Sequence, residues 1–456
     1  MPKRYDVIIA GAGNAGLACA RAAAAGGLNV LLIDKRRRGN PGRDWCDVVE
    51  KDVFQRLGLG LPPPALWRPV SLPVFFTPDM KDRIDPGNLE NRPCPHLYID
   101  RSRMSQWLFD LVEPHPHVEV RTETTILGPE LSGTRVTGVR IAGANNGATD
   151  VIKGDVVVDA SGLHSVIDSR VPYDYPFRAD PVNPGDVFIG IKEIISVNDA
   201  DTLRRTGNRI LMGYGGGMAW TMIYRENMID VGVAVPRTQR AGGIKKLLSG
   251  LKDRLGLSSF APVRRGGGLL PARRCRTRLA GEGYLVAGDA ACQINPANGG
   301  GISPALLAGH MAGEAIVHAG RSGGNGPASL WDYPRRYITG QGAAFAGLDM
   351  MRICFQSLSA SDISWLFRKG VIQIHDLAVP FIAGERPPFQ VITGLQSAVR
   401  GRSRPGLLLK LARALLDARA IETAYRDIPA TYHPATVARW ENKIRGIAER
   451  AGRKRS

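Results

Sequence analysis

Apolar runs and their punctuation divide this chain before any composition is counted. Tyr5 to Ala10 reads as a buried strand, and it runs straight into Gly11-Ala12-Gly13-Asn14-Ala15-Gly16. An alanine-rich helix is predicted from about Leu17 to Ala25, with Gly26-Gly27 as its stop. A second apolar strand, Val30-Leu31-Leu32-Ile33, then ends at Asp34. The same grammar returns at Asp155–Asp159, followed by the small-residue turn Ala160-Ser161-Gly162-Leu163-His164-Ser165. It returns again at Tyr284–Ala287, followed by Gly288-Asp289-Ala290-Ala291 and then Asn295-Pro296-Ala297-Asn298-Gly299-Gly300-Gly301-Ile302. A helix is predicted from about Ser303 to Gly320. After Trp331 the pattern is helical, broken by Pro380, Pro387-Pro388 and Pro405. Within it, Gly406 to Ile421 places Lys410, Arg413 and Asp417 on one stripe and Leu408, Leu411 and Leu415 on the other.

Strand, glycine turn, helix, strand and acid, in that order, are the parts of a dinucleotide grip. Gly11 makes the tight turn, Gly13 lets backbone N–H groups reach a pyrophosphate, and Gly16 lets helix and strand pack closely. Asp34 can accept from the two hydroxyls of an adenosine ribose, so Gly11, Gly13, Ala15, Gly16, Asp34 and Lys35 form the candidate set. FAD and NAD use the same grip, and this motif leaves the choice open. An acid at a later strand end, Asp159 or Asp289, can hold a polyol hydroxyl. Three glycines opening a helix let its amide dipoles approach an electron-rich ring.

Composition narrows the classes. The 54 glycines in 456 residues follow no collagen period and form no linker. Six scattered cysteines are no disulfide scaffold, though they leave room for a single redox pair. No apolar run approaches the ~20 residues of a membrane span, and the start lacks a signal-peptide cleavage site, so the expected place is the cytoplasm. The formal charge is +18, half of it in the last 60 positions, which favours phosphate-bearing partners or an anionic membrane surface. No nucleic-acid-binding signature accompanies it, and no nucleic-acid partner is expected. The basic helix at 406–421 can lie in a lipid interface at the inner face of the membrane or cover the protein's own core. The clusters Gly266-Gly267-Gly268 and Gly323-Gly324-Asn325-Gly326 read as turns.

Taken together, GAGNAG at Gly11–Gly16, DASGLHS at Asp159–Ser165 and GDAACQINPANGGGI at Gly288–Ile302 resemble the FAD fold of the para-hydroxybenzoate hydroxylase superfamily and, within it, the geranylgeranyl reductases. The resemblance covers about Tyr5 to Gly320. It implies an α/β fold, with a Rossmann-type FAD-binding domain, an antiparallel-sheet substrate domain and a helical C-terminal region. The implied division is FAD domain 1–75, 96–172 and 266–330, substrate domain 76–95 and 173–265, and basic helical region 331–456. Asp159, Gly162, Gly288 and Asp289 would then belong to the cofactor site, with Pro296, Gly299, Gly300, Gly301 and Ile302 along the flavin ring. Arg101, in a segment similar to the family's "idR…wL", would lie near the flavin or its phosphates.

The family's Tyr-x-Trp-x-Phe-Pro segment corresponds to Met218-Ala219-Trp220-Thr221-Met222-Ile223, ahead of the strand Ile229–Val235. Trp220 is kept, and flexible thioethers replace other members, which suits a shape-tolerant hydrocarbon tunnel. The implied activity is saturation of C=C bonds in prenyl chains by hydride from reduced flavin N5 plus a proton. Cys46 and Cys292 are both expected at the active site, as a reversible disulfide or a proton-donating thiol, with Trp220 as the third catalytic candidate. The substrate would be a prenylated lipid or isoprenoid, and the electron donor NAD(P)H or a ferredoxin-like carrier. The rivals are a flavin-dependent hydroxylase or halogenase of the same superfamily and a non-catalytic prenyl-binding protein.

Overall fold

The structure, a computed structural model, describes residues 4–38, 46–86, 95–143, 149–172, 175, 177–178, 181–225, 227–238, 241–374, 376–377 and 403–453. Asp44, Trp45, Cys94, Pro380, Pro387, Pro388 and the final Lys454-Arg455 fall outside these. The first sheet runs in the order Ala280–Gly281, Tyr284–Val286, Thr149–Asp159, Tyr5–Ala10, Val30–Ile33, Val118–Arg121. Its four central pairings are parallel. Parallel strands covered on both faces should be apolar throughout, and Val7, Ile8, Ile9, Leu31 and Leu32 are all fully buried. This is a Rossmann-type unit.

Its first helix, Asn14–Ala25, crosses the long helix Ile302–Arg321 at backbone contact. A Cβ on Gly309 would meet the Ala15 carbonyl oxygen at 2.0 Å, and one on Gly313 would meet the Cys19 carbonyl oxygen at 2.7 Å. The alanines of the first helix are therefore the counterpart of a small-residue stripe three hundred residues later.

A second, seven-stranded sheet runs Pro262–Leu270, Phe188–Ser196, Met228–Pro236, Met218–Arg225, Arg209–Met212, Val74–Phe76, Arg83–Ile84. All its pairings are antiparallel except that of Arg209–Met212 with Val74–Phe76. The two-residue period of a strand sorts its central member cleanly. Ile229, Val231, Val233 and Val235 pack beneath the helix Ala241–Leu255, in one cluster with Ile244, Leu248 and Leu251. Asp230 and Ala234 face a cavity on the other side.

Gly266-Gly267-Gly268 are not a turn. They lie inside the strand Pro262–Leu270, with Gly268 opposite Gly190 and Gly267 opposite Ile191. Their partner strand supplies the pattern that three glycines cannot show in sequence.

A small antiparallel sheet of Cys46–Glu50, His96–Asp100 and Trp67–Pro69 lies between these units and sets Cys46 opposite Asp100. The C-terminal region is helical: Asp332–Tyr337, Ala343–Gln356, Ala360–Arg368, Pro405–Arg426 and Pro434–Arg453. The helix Pro405–Arg426 buries Leu411, Ala414, Leu415, Ala418 and Ile421 and packs on Ala343–Gln356. It covers core, and Lys410 donates to the Ser357 carbonyl oxygen. Leu409 and Leu416 remain exposed on its outer side, 51% and 62% accessible. Among the described residues, no helix is long and apolar enough to cross a membrane.

Candidate active site

The three motif loops converge. Gly11, at φ +106°, lies against the second loop, where an added Cβ would meet the Ala160 carbonyl oxygen at 2.5 Å. Gly288, at φ +71°, lies against the first, its absent Cβ 3.1 Å from the Cβ of Ala15. A Cβ on Gly16 would strike the Gly11 carbonyl oxygen at 1.9 Å. Gly13 is the opposite case, since nothing lies within 4 Å of its missing Cβ. It precedes a helix whose first amides have no side-chain cap. An open surface over uncapped N–H donors is what a pyrophosphate requires, so the residues present fit a dinucleotide.

Asp34 ends the second strand as the motif predicts. One of its oxygens accepts from the Ala12 amide at 2.8 Å, which braces the glycine turn. Both oxygens also hold Arg36, from Nε at 2.9 Å and Nη2 at 2.8 Å. Burial pushes the Asp34 carboxyl up, but Arg36 and the backbone donors outweigh it and hold the pKa below the usual carboxylate value. Lys35 is exposed. The cation that reaches the acid is Arg36, a residue with no motif signal of its own.

Asp159 is held by its own loop. It is fully buried, and its carboxylate accepts from Ser161 N and Oγ, Ser165 Oγ, Ile167 N and Asp168 N. Both oxygens are engaged by its own loop, so Asp159 shapes the turn carrying Gly162.

The third loop borders a cavity of about 380 Å³. Asp289, Pro296, Gly299, Gly300, Gly301 and Ile302 line one side. The loop is held from within, by Gly299 N to the Asn295 carbonyl oxygen at 2.9 Å and Gly300 N to Asn298 Oδ1 at 2.6 Å. It is held from behind by the buried Gln293, which accepts from Gly288 N at 2.6 Å and donates to Tyr333 Oη at 2.8 Å. Gly301 caps the long helix without a side-chain bond, so first-turn amides open on the cavity. Opposite stand Phe188, Met218, Trp220, Met222 and Leu270 of the seven-stranded sheet, with Gly190, Gly267 and Gly268 as a bare floor. Cys46, Tyr98 and Arg101 of the small sheet and its helix close one end, and Leu348, Met351 and Phe355 of the C-terminal region close another.

Comparison with known proteins agrees with this geometry. Residues 6–42 match the model of an FAD-binding domain. The chain is 26% identical over 460 residues to a digeranylgeranylglycerophospholipid reductase of Sulfolobus acidocaldarius, covering 97% of each chain. It is 27% identical to the enzyme of that name from Methanothrix thermoacetophila, over 82% of this chain and 93% of the relative. Among solved structures, a geranylgeranyl bacteriochlorophyll reductase-like protein from Thermoplasma acidophilum superposes with a TM-score of 0.71 at 20% identity, over 91% of this chain and 100% of the other. The myxobacterial chondrochloren halogenase shares the fold at TM-score 0.62 and 18% identity, over 91% and 97%. This chain is an FAD-dependent oxidoreductase similar to the digeranylgeranylglycerophospholipid reductases.

Within this reductase-like flavoprotein the two cysteines part company. Cys46 lines the cavity, where burial, partly offset by a hydrogen bond with Tyr224, pushes its thiol up to about 12. Cys292, in the left-handed conformation at φ +56°, is fully buried and is not among the cavity residues. Its electrostatic neighbours are Cys275, Arg276 and Tyr337. The two are free thiols with different surroundings. Cys292 serves the turn after Gly288–Ala291, its amide donating to the Asp289 carbonyl oxygen at 3.1 Å.

Three cavity residues had no place in the motifs. Asp230, Lys192 and Tyr98 form a hydrogen-bonded group with Trp220 in the wall. The ion pair joins Lys192 Nζ to Asp230 Oδ2 at 2.8 Å. Asp230 was legible only as the polar member of a valine-rich strand.

Proposed function

We propose that this flavoprotein saturates C=C double bonds of geranylgeranyl or related prenyl chains carried on a membrane phospholipid or isoprenoid. The observation that carries the reading is a continuous, largely apolar cavity spanning from the glycine loop at Gly299–Ile302 to the Trp220 wall. A hydrocarbon gains about 25 cal/mol for each Å² it removes from water, and a cavity lined with Met, Leu, Phe and Trp side chains supplies that environment. Relatives aligned over 97% and 82% of this chain, each named a digeranylgeranylglycerophospholipid reductase, support the same substrate class.

Reduced FAD, when bound, supplies a hydride. Gly11, Gly13 and Gly16 would hold its pyrophosphate, Asp34 with Arg36 beside it would receive the adenosine ribose, and Asp289 would receive the ribityl chain. The amides of Gly300, Gly301 and Ile302 would stabilise negative charge on the ring. An isolated alkene has no carbonyl to polarise, so the chain's own task is to exclude water, align the double bond and deliver a proton. The Cys46 thiol is the protonated group at hand, because burial keeps it neutral far above neutral pH. Electrons come from NAD(P)H or a ferredoxin-like carrier. The basic C-terminal region meets an anionic membrane surface peripherally, with Leu409 and Leu416 exposed among Arg413 and Arg419 on the outer side of their helix.

The test is anaerobic incubation of the chemically reduced holoenzyme with geranylgeranyl phospholipids, followed by mass measurement. Products heavier by pairs of hydrogens are expected. No change without oxygen, together with oxygen insertion in air, replaces this reading with the hydroxylase or halogenase one.

A further inference from the structure

The wall carrying Trp220 contains a buried ion pair that a hydrocarbon tunnel does not need for its own polarity. Lys192 and Asp230 have side chains only 10% and 1% accessible. Taking such charges out of water is costly, and their mutual attraction often fails to recover the cost. What distinguishes this pair is the set of groups gathered on it.

Asp230 Oδ2 accepts from Tyr98 Oη at 2.8 Å and from Lys192 Nζ at 2.8 Å, while Oδ1 accepts from Trp220 Nε1 at 3.1 Å. Lys192 Nζ also donates to the Cys46 carbonyl oxygen at 2.6 Å. Tyr98 and Cys46 belong to the small three-stranded sheet; Trp220, Asp230 and Lys192 belong to the seven-stranded one. All five line the cavity. The pair thus ties two walls of one cavity together and fixes the orientation of the largest side chain in it. A second restraint acts on the same ring: the indole lies over Gly232, where a Cβ would come within 2.2 Å of Trp220 Cζ2.

We propose that Asp230, held by Lys192 and Tyr98, is a positioning residue that locks Trp220 and thereby sets which prenyl chain the cavity accepts. This rests on the prenyl-chain reading above. Asp230 touches neither substrate nor cofactor in this role; it acts through the indole.

The test uses the holoenzyme and two prenyl alcohols, geranylgeraniol and farnesol, which differ by one isoprene unit. Equilibrium binding and the thermal midpoint are measured for wild type, Asp230→Leu, Asp230→Asn, Gly232→Ala and the double variant Lys192→Met with Asp230→Leu. Asp230→Leu removes the carboxylate facing the buried Lys192 ammonium, so its melting temperature falls, and the preference between the alcohols shrinks by about tenfold, the scale on which a pocket wall discriminates one hydrocarbon step. The double variant removes both charges and recovers the melting temperature without recovering the preference. Asp230→Asn retains an oxygen for the indole N–H and recovers part of it. Gly232→Ala leaves the ion pair intact, displaces the ring and shrinks the preference as well. If the preference returns together with the melting temperature in the double variant, the ion pair is only a structural tie and the proposal fails. Wild type that binds neither alcohol overturns the prenyl reading itself and this proposal with it. Should Asp230→Leu not fold, the double variant and Gly232→Ala decide the question.

Discussion

Gly309 lies directly on the backbone of Ala15, so close that a Cβ would be 2.0 Å from the Ala15 carbonyl oxygen. One residue is in the long helix that follows the third loop, and the other is in the first turn of the helix Asn14–Ala25. Gly309→Ala must separate two helices at a contact where backbone cannot yield. The expected cost is about 1–3 kcal/mol, the usual price of overpacking, measured by denaturant unfolding. Because Ala15 lies in the first turn of the helix that Gly13 precedes, FAD retention on gel filtration falls in the same variant.

Gly11 and Gly13 separate folding from cofactor binding. Gly13 has ordinary φ of −80° and open space at its missing Cβ, so Gly13→Ala leaves the apo-protein melting temperature unchanged. It places a methyl over the uncapped amides and weakens FAD binding by about tenfold or more, a loss of at least ~1.4 kcal/mol, read by flavin fluorescence titration. Gly11→Ala meets a carbonyl at 2.5 Å with φ +106° and lowers the melting temperature of the apo protein itself.

Buried thiols make the fold sensitive to alkali. Burial pushes Cys19, Cys46 and Cys275 from 9.0 up to about 12. A group raised in the folded state contributes its stability fully below the unfolded value and loses it as the pH climbs to the folded one. Unfolding free energy therefore falls as the pH is raised from 9.0 towards about 12, and a Cys19→Ala variant falls less steeply across that window. Cys46 resists iodoacetamide in the native protein at mildly alkaline pH and reacts after denaturation.

The C-terminal helices are fastened by charge. Asp349, fully buried, takes Arg274 Nη1 at 2.7 Å and Arg352 Nη2 at 2.6 Å, and Arg352 also holds Asp186 at 2.8 Å. Burial raises the Asp349 carboxyl, but Arg352 and Arg274 prevail and bring it down to about 2. Asp349→Ala takes the shared carboxylate from Arg274 and leaves Arg352 to Asp186 and Gln356, and costs about 3–5 kcal/mol, seen as a lower denaturation midpoint. In wild type this contribution is present above the ordinary 3.8 and disappears as the pH falls through about 2, so the variant loses less on acidification.

The cofactor unit was legible because its signals are local. Gly11, Gly13, Gly16 and Asp34 lie within one strand–helix–strand passage, and each has a steric or hydrogen-bonding reason to be what it is. The substrate wall was only half legible. Trp220 could be found by its segment, but the carboxylate that holds it pairs with Tyr98, 132 positions away, and with Lys192 across an intervening strand pairing. Gly266–Gly268 lack side-chain alternation, so their strand emerged only from the register with Phe188–Ser196. Asp159 occupies the expected strand end, and its loop folds back to donate to both of its oxygens. Cys46 and Cys292 carried the same chemistry in the sequence, and packing alone assigned them to different surroundings.

The bare floor of the cavity has an evolutionary consequence. Gly190 pairs with Gly268, and the nearest atoms to an added Cβ on Gly190 are 3.9 Å away, ordinary contact. A single-base change to alanine there would remove one methyl's worth of volume without bending a strand. Room for longer or shorter chains can therefore be adjusted one carbon at a time, while the scaffold and its redox partner stay untouched.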